Sequence, residues 1–167
     1  MLRSAIAIGT PDHIATATLA ISTNGRGFVE LTQEAVRFVD ESAADHGVLV
    51  LFLRHTSASL VIQENADADV QSDLLLALDR IAPEGAGWIH GAEGPDDMPA
   101  HVKAMVSGVS LHVPVVEGRL ALGTWQGIYL IEHRRHPHRR EVMLQFIGSR
   151  IPSEENVQIG SKRPNKG

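Results

Sequence analysis

The run VLVLFL, residues 48–53, constrains the fold more than any other stretch. Six consecutive apolar residues of strand length read as a β-strand covered on both faces. Such a strand needs a sheet around it and packed layers above and below. The 167-residue chain has the means, with 43% hydrophobic and 21% charged residues. At this size one core can bury most of the apolar surface without a disulfide or structural metal. There is no cysteine, which excludes disulfides, thiolate metal sites and cysteine nucleophiles.

Other elements fall around that strand. Residues 16–23 (TATLAIST) alternate as a strand and end in the turn NGRG at 24–27. Residues 32–46 read as a helix, capped by Thr32 and ended by Gly47. Residues 59–62 form a short strand, and 67–81 a helix capped by Asp67. A Gly- and Pro-rich loop over 84–98 leads into a short helix over 99–106, with Pro99 in its first turn. LHVPVV, the turn Glu117-Gly118 and RLALGTW read as a hairpin. Residues 127–133 and 141–147 read as a second hairpin around HRRHPHRR. The expectation is an α+β domain over 1–151, mainly an antiparallel β-sandwich with about three flanking helices. A polar tail, 152–167, follows.

The formal charge of −5 argues against a general nucleic-acid binder. No apolar run reaches membrane-spanning length, and no signal-peptide pattern opens the chain, so no membrane partner and a cytoplasmic location are expected.

Several clusters carry chemistry. Arg54, His55, Thr56 and Ser57 follow the buried strand, where hydroxyls and backbone N–H groups can hold phosphate oxygens and His55 can act as ligand or acid/base. The alternative is a solvated bend. Glu64 follows the next strand and reads as a cap or as a partner for His55. EGPDDMPAH, residues 93–101, crowds Glu93, Asp96, Asp97 and His101 around two prolines, with His90 just before. Imidazoles and carboxylates are the usual ligands of zinc, or of magnesium where carboxylates dominate. The alternative is an acidic cap on the helix that follows. Trp125 reads as core or as a wall for an aromatic ring, with Gln126 placed to orient a heterocycle. HRRHPHRR, with four arginines and three histidines, reads as a solvated turn or an anion-binding tip. Arg139 or Arg140 is nearest the returning strand.

Three segments, HTSASLVIQENAD (55–67), EGPDDMPAHVKAMVSG (93–108) and VPVVEGRLALGTWQGIYLIEHR (113–134), closely resemble the YjbQ-type family, also called secondary thiamine-phosphate synthase. The resemblance runs from about residue 12 to residue 149. It implies a β-sandwich with flanking helices, assembled as a homotrimer. The implied reaction joins a hydroxymethylpyrimidine pyrophosphate to a thiazole phosphate and releases pyrophosphate. The implied site has His55, Glu64 and His101 in catalysis. Thr56, Trp125 and Gln126 match family positions that would contact the phosphorylated heterocyclic substrates, and Ser57 and Arg139, read from their own residue types, are expected to join them. His90, Asp97 and His101 would hold a divalent cation, Mg²⁺ or Zn²⁺. Some members carry asparagine near the second loop acid, where this chain has Asp97. Two other readings stay open: a trimeric metal- or phosphometabolite-binding protein, and a metal-dependent phosphoester hydrolase.

Overall fold

The computed structural model describes residues 1 and 3–151. The expected tail over 152–167 lies outside them. Eight strands and three helices make an α+β architecture with two sheets. The larger sheet has the order β1-β8-β3-β5-β6, formed by β1 (His13–Thr23), β8 (His138–Arg150), β3 (Ala44–Leu53), β5 (Ser110–Val116) and β6 (Arg119–Leu120). The smaller has the order β2-β7-β4, with β2 (Gly27–Glu30), β7 (Gln126–Glu132) and β4 (Ala58–Glu64). All of the strand pairs are antiparallel. One apolar cluster joins the sheets: Leu49, Leu51, Val113, Val142 and Phe146 from the larger meet Leu60, Ile128 and Leu130 from the smaller.

The VLVLFL run does lie at the centre of the larger sheet, but it is not covered on both faces in one chain. Leu49, Leu51 and Leu53 point into the core, whereas Phe52 is 46% exposed. Ile14, Ile147 and Val116 are exposed with it. Ile14 pairs with Ile147 and Ile147 with Val48, so part of this apolar surface is a continuous row.

Five local expectations are corrected. Helix α1 is Thr32–Glu41, five residues shorter than the periodicity suggests. Ser42 N–H closes on Phe38, Ala43 turns the chain at φ 51°, and β3 already begins at Ala44. Pairing with β8 takes up Ala44 and, after an irregularity at Asp45 and His46, Gly47 onward, and neither of those two residues favours a helix strongly enough to hold it. Thr32 is not the cap residue; its Oγ1 accepts instead from Ile128 N–H of β7 at 3.0 Å. Gly47 is not a helix stop. It lies across from Gly148 in the β3–β8 ladder, and a Cβ on it would collide with the Ile147 carbonyl. The segments around the basic turn do not pair with each other: β7 belongs to the smaller sheet and β8 to the larger, so residues 133–137 cross between sheets. In place of a single long strand after Gly118, only Arg119 and Leu120 pair.

Helix α2 (Ala68–Ile81) is capped as expected, with the Asp67 carboxylate accepting from Asp69 N–H. Helix α3 (Asp97–Ser107) starts two residues before the expected 99. That shift brings Asp97 onto the helix, one turn before His101.

Candidate metal centre

The acidic loop and the first turn of α3 close around a guanidinium. Arg134 lies two residues past the end of β7. Its Nε donates to Asp96 Oδ2 at 3.1 Å, its Nη1 to Asp97 Oδ1, and its Nη2 to the Glu93 carbonyl at 2.7 Å. The Asp96 carboxylate also accepts from Arg135 N–H at 2.9 Å. Burial alone would raise the Asp96 carboxyl, but the hydrogen bonds from Arg135 and Arg134 outweigh it and hold it below its ordinary value. Asp96 therefore does not cap the helix with its side chain. It anchors the chain that follows β7.

Asp97 is 2% exposed yet faces two histidines. His90 Nε2 lies 2.8 Å from Asp97 Oδ2, and His101 Nε2 lies 3.7 Å from Asp97 Oδ1. The second contact follows from helical geometry, because residues four apart share a face. His101 Nδ1 donates to the Thr56 carbonyl at 2.9 Å. A carbonyl only accepts, so in the neutral ring Nδ1 carries the proton and the Nε2 lone pair faces Asp97. This is the outer-shell contact that commonly orients a metal-binding imidazole. One ligand atom each from His90, Asp97 and His101 lies within 4.8 Å of the others. The two rings are 5.6 Å apart between centroids. A cavity of about 280 Å³ opens beside His101, lined also by Thr56, Ala104, Met105, Gly108 and Val109.

Behind this cluster lies a second polar layer. The Glu132 carboxylate is fully buried and accepts from Arg140 Nε and Nη2 at 2.7 and 2.6 Å. Thr23 Oγ1 and Arg134 N–H complete its shell, both at 2.9 Å. Burial opposes ionisation of Glu132, but the Arg140 fork and the other donors keep its carboxyl below the ordinary range. His133 is buried as well, its Nε2 against Ser59 Oγ at 2.8 Å, and its Nδ1 has no hydrogen-bond partner among the described residues. Burial, then the charge of nearby Lys103, brings the His133 pKa down to about 4. Lys103 is itself held by Asp79 at 2.6 Å, and Arg26 meets the same carboxylate at 2.7 Å. These pairs tie α2, α3 and the turn before β2 together.

The remaining expected site residues divide by location. His55 sits at the Thr56 end, but its Nε2 accepts from Glu141 N–H at 2.9 Å, and burial followed by Arg140 lowers its pKa. It is not one of the three grouped ligands. Thr56 contributes its carbonyl. The Ser57 carbonyl faces Arg140 at 3.4 Å. Arg139 is exposed, opposite Ser22 on β1, while its neighbour Arg140 turns inward. Glu64 and Gln126 face each other at the far end of β4 and β7, and Trp125 is beside them. Six residue steps of β4 separate that end from Ala58, about 20 Å of strand. Within one chain they do not meet His101.

Arg134 and Glu132 are the residues that sequence reasoning missed; Arg140 was one of the two arginines singled out, and its partner Glu132 was not. The available signal was charge balance: the acids crowded at Glu93, Asp96 and Asp97 need a cation, and HRRHPHRR is the densest basic segment.

A model of the family described as UPF0047 protein YjbQ-like matches residues 17–149. The chain belongs to that family. A UPF0047 protein of Synechocystis is 46% identical over 131 residues, covering 78% of this chain and 89% of that one. YjbQ of Salmonella typhimurium is 43% identical over 132 residues, covering 78% and 96%. Among solved structures, a YjbQ/UPF0047 protein of Clostridium acetobutylicum is 37% identical with a TM-score of 0.71, covering 79% and 98% of the two chains. A protein of Aeropyrum pernix is 28% identical with a TM-score of 0.75, covering 81% and 99%. These names give a family and state no reaction. No helix among the described residues is long and apolar enough to cross a membrane.

Proposed function

We propose that this YjbQ-like protein binds a divalent cation through His90, Asp97 and His101 and uses it on a phosphorylated small molecule. The observation that carries the reading is the His101 ring. Its Nδ1 is fixed by the Thr56 carbonyl, and its Nε2 faces the Asp97 carboxylate with His90 on the other side. Two imidazoles and one carboxylate fit a zinc-class cation better than magnesium, which favours oxygen ligands. Three protein ligands also leave positions open for water or substrate. The charges agree: Glu93, Asp96 and Asp97 face the single guanidinium of Arg134, leaving an excess of negative charge.

When bound, the cation supplies Lewis acidity toward phosphate oxygens and neutralises a phosphate leaving group. The chain's own residues do the rest. Arg134 fixes the Asp97 carboxylate. The Thr56 carbonyl fixes the His101 ring, and Glu141 N–H fixes the orientation of His55. The reaction carried over from the family resemblance forms a C–N bond at the thiazole nitrogen and breaks the C–O bond to pyrophosphate. That exchange balances with no net proton transfer. It needs charge neutralisation more than a general acid, which favours a cation centre over an acid/base role for Glu64. The exposed row on the larger sheet supports self-association, with the trimer implied by the resemblance as the expected form.

A metal-dependent phosphoester hydrolase is the second reading. Solvent exposure of His90 favours it, because water can reach the centre. One experiment separates the outcomes. Zinc-, manganese- or magnesium-loaded protein is incubated with the pyrimidine pyrophosphate, with and without the thiazole phosphate. Thiamine phosphate formed only with both supports the coupling reaction. Phosphate or pyrophosphate released without the thiazole supports hydrolysis. Neither product from metal-loaded protein refutes both reactions and leaves a binding role.

A further inference from the structure

We propose that the cavity beside Trp125 is a second binding site, built for a flat, positively charged ring. The cavity has about 470 Å³ and is lined by Ile62, Gln63, Glu64, Ala66, Trp125 and Gln126. It lies at the opposite end of β4 from the Thr56–His101 contact, so within one chain it stands apart from the cation centre.

The Trp125 ring is 65% exposed, a large apolar face left against a cavity. Its backbone is fixed nonetheless. Asn65 N–H donates to the Trp125 carbonyl at 3.2 Å, and Asn65 Nδ2 contacts the carbonyls of Thr124 and Gln126. Gln126 Oε1 accepts from Gly123 N–H at 2.8 Å, which closes the loop in front of the tryptophan. The backbone that carries the indole is therefore ordered in the folded chain.

The charge of the cavity selects the ligand. Among the described residues, Glu64 is its one ionisable lining residue, and no lysine, arginine or histidine lines it. Gln63 Oε1 is engaged by Glu64 N–H, and among the described residues the Glu64 carboxylate has no ion-pair or hydrogen-bond partner. A phosphate group would meet a carboxylate there and no cation. A neutral ring would stack but leave Glu64 unanswered. A cationic ring satisfies both groups, stacking on the indole face and pairing with the carboxylate.

The test uses 1-methylnicotinamide, a flat cation, and nicotinamide, its neutral counterpart. Binding is followed through the indole N–H resonances of the two tryptophans, which Trp125→Leu assigns. The expected result is a shift of the Trp125 resonance by the cation and at least tenfold weaker binding of nicotinamide. Glu64→Gln should weaken the cation at least tenfold, while His101→Ala leaves it unchanged. Equal binding of both compounds, equal binding by Glu64→Gln, or loss of binding in folded His101→Ala would overturn the proposal. So would a Trp125 resonance that responds only to protein concentration, which would give this face to a second copy of the chain.

Discussion

The guanidinium of Arg134 lies against the Asp97 carboxylate, joining the end of β7 to the first turn of α3 across 37 positions of sequence. Asp97 is thus an internal acid with one permanent cation beside it and two imidazoles on its other side. Removing the guanidinium leaves Asp96 and Asp97 buried without it, a change of the kind that costs about 3 kcal/mol. Arg134→Gln is expected to lose that much by urea unfolding in the presence of chelator. Saturating zinc should widen the gap, because a ligand of the folded state adds stability by mass action and Arg134, which fixes the Asp97 carboxylate, favours its binding. A gap that zinc leaves untouched would separate the ion pair from cation binding.

His133 gives the protein a specific acid sensitivity. Its folded pKa of about 4 lies below the ordinary 6.5, so the unfolded chain takes up the proton first. Stability is therefore highest above pH 6.5 and falls as the pH drops toward 4, by roughly 3 kcal/mol at most. Asp79, Asp96 and Glu132, with depressed carboxyl pKa values, lose their contributions at lower pH, as each is protonated in turn. Unfolding free energies measured from pH 7 to 4.5 should slope in the wild type and flatten in His133→Gln. The slope is the readout, since the lost Ser59 contact changes the absolute value.

Gly47 and Gly148 face each other where β3 crosses β8, and a Cβ on Gly148 would lie 2.7 Å from Gly47 Cα. The sheet cannot take that methyl without shifting a strand. Gly148→Ala is expected to destabilise by about 1–3 kcal/mol. Gly85→Ala, whose Cβ would meet nothing within 4 Å, should stay within about 0.5 kcal/mol. Equal melting temperatures for the two variants would contradict the crowding.

Where burial patterns were local, the sequence was readable. The α+β class, the Asp67 cap and the core position of Leu49, Leu51 and Leu53 all rest on short-range signals. What resisted reading depended on partners far along the chain. Helix α1 stops at Glu41 because β8, a hundred residues on, claims residues 44–53. β7 and β8 look like hairpin arms, but their apolar faces belong to different sheets. Phe52 belongs to a continuous apolar run yet faces outward, because alternation within a strand overrides composition. At the site, the residue types of the loop pointed to a cation, and the family resemblance supplied the set His90, Asp97 and His101. Arg134 was hidden in a basic turn whose charges look interchangeable in sequence; only the fold separates the buried Arg134 and Arg140 from the exposed Arg139.

The most direct measurement is zinc binding by calorimetry, on tag-free protein stripped with chelator, for the wild type and His101→Ala. The expected result is one zinc per chain in the wild type. A folded His101→Ala should bind at least about a hundredfold more weakly, since losing a ligand should cost no less than losing an outer-shell partner. Wild-type protein that takes up no zinc, or His101→Ala that binds it equally well, would contradict the assignment of His90, Asp97 and His101 as a metal centre.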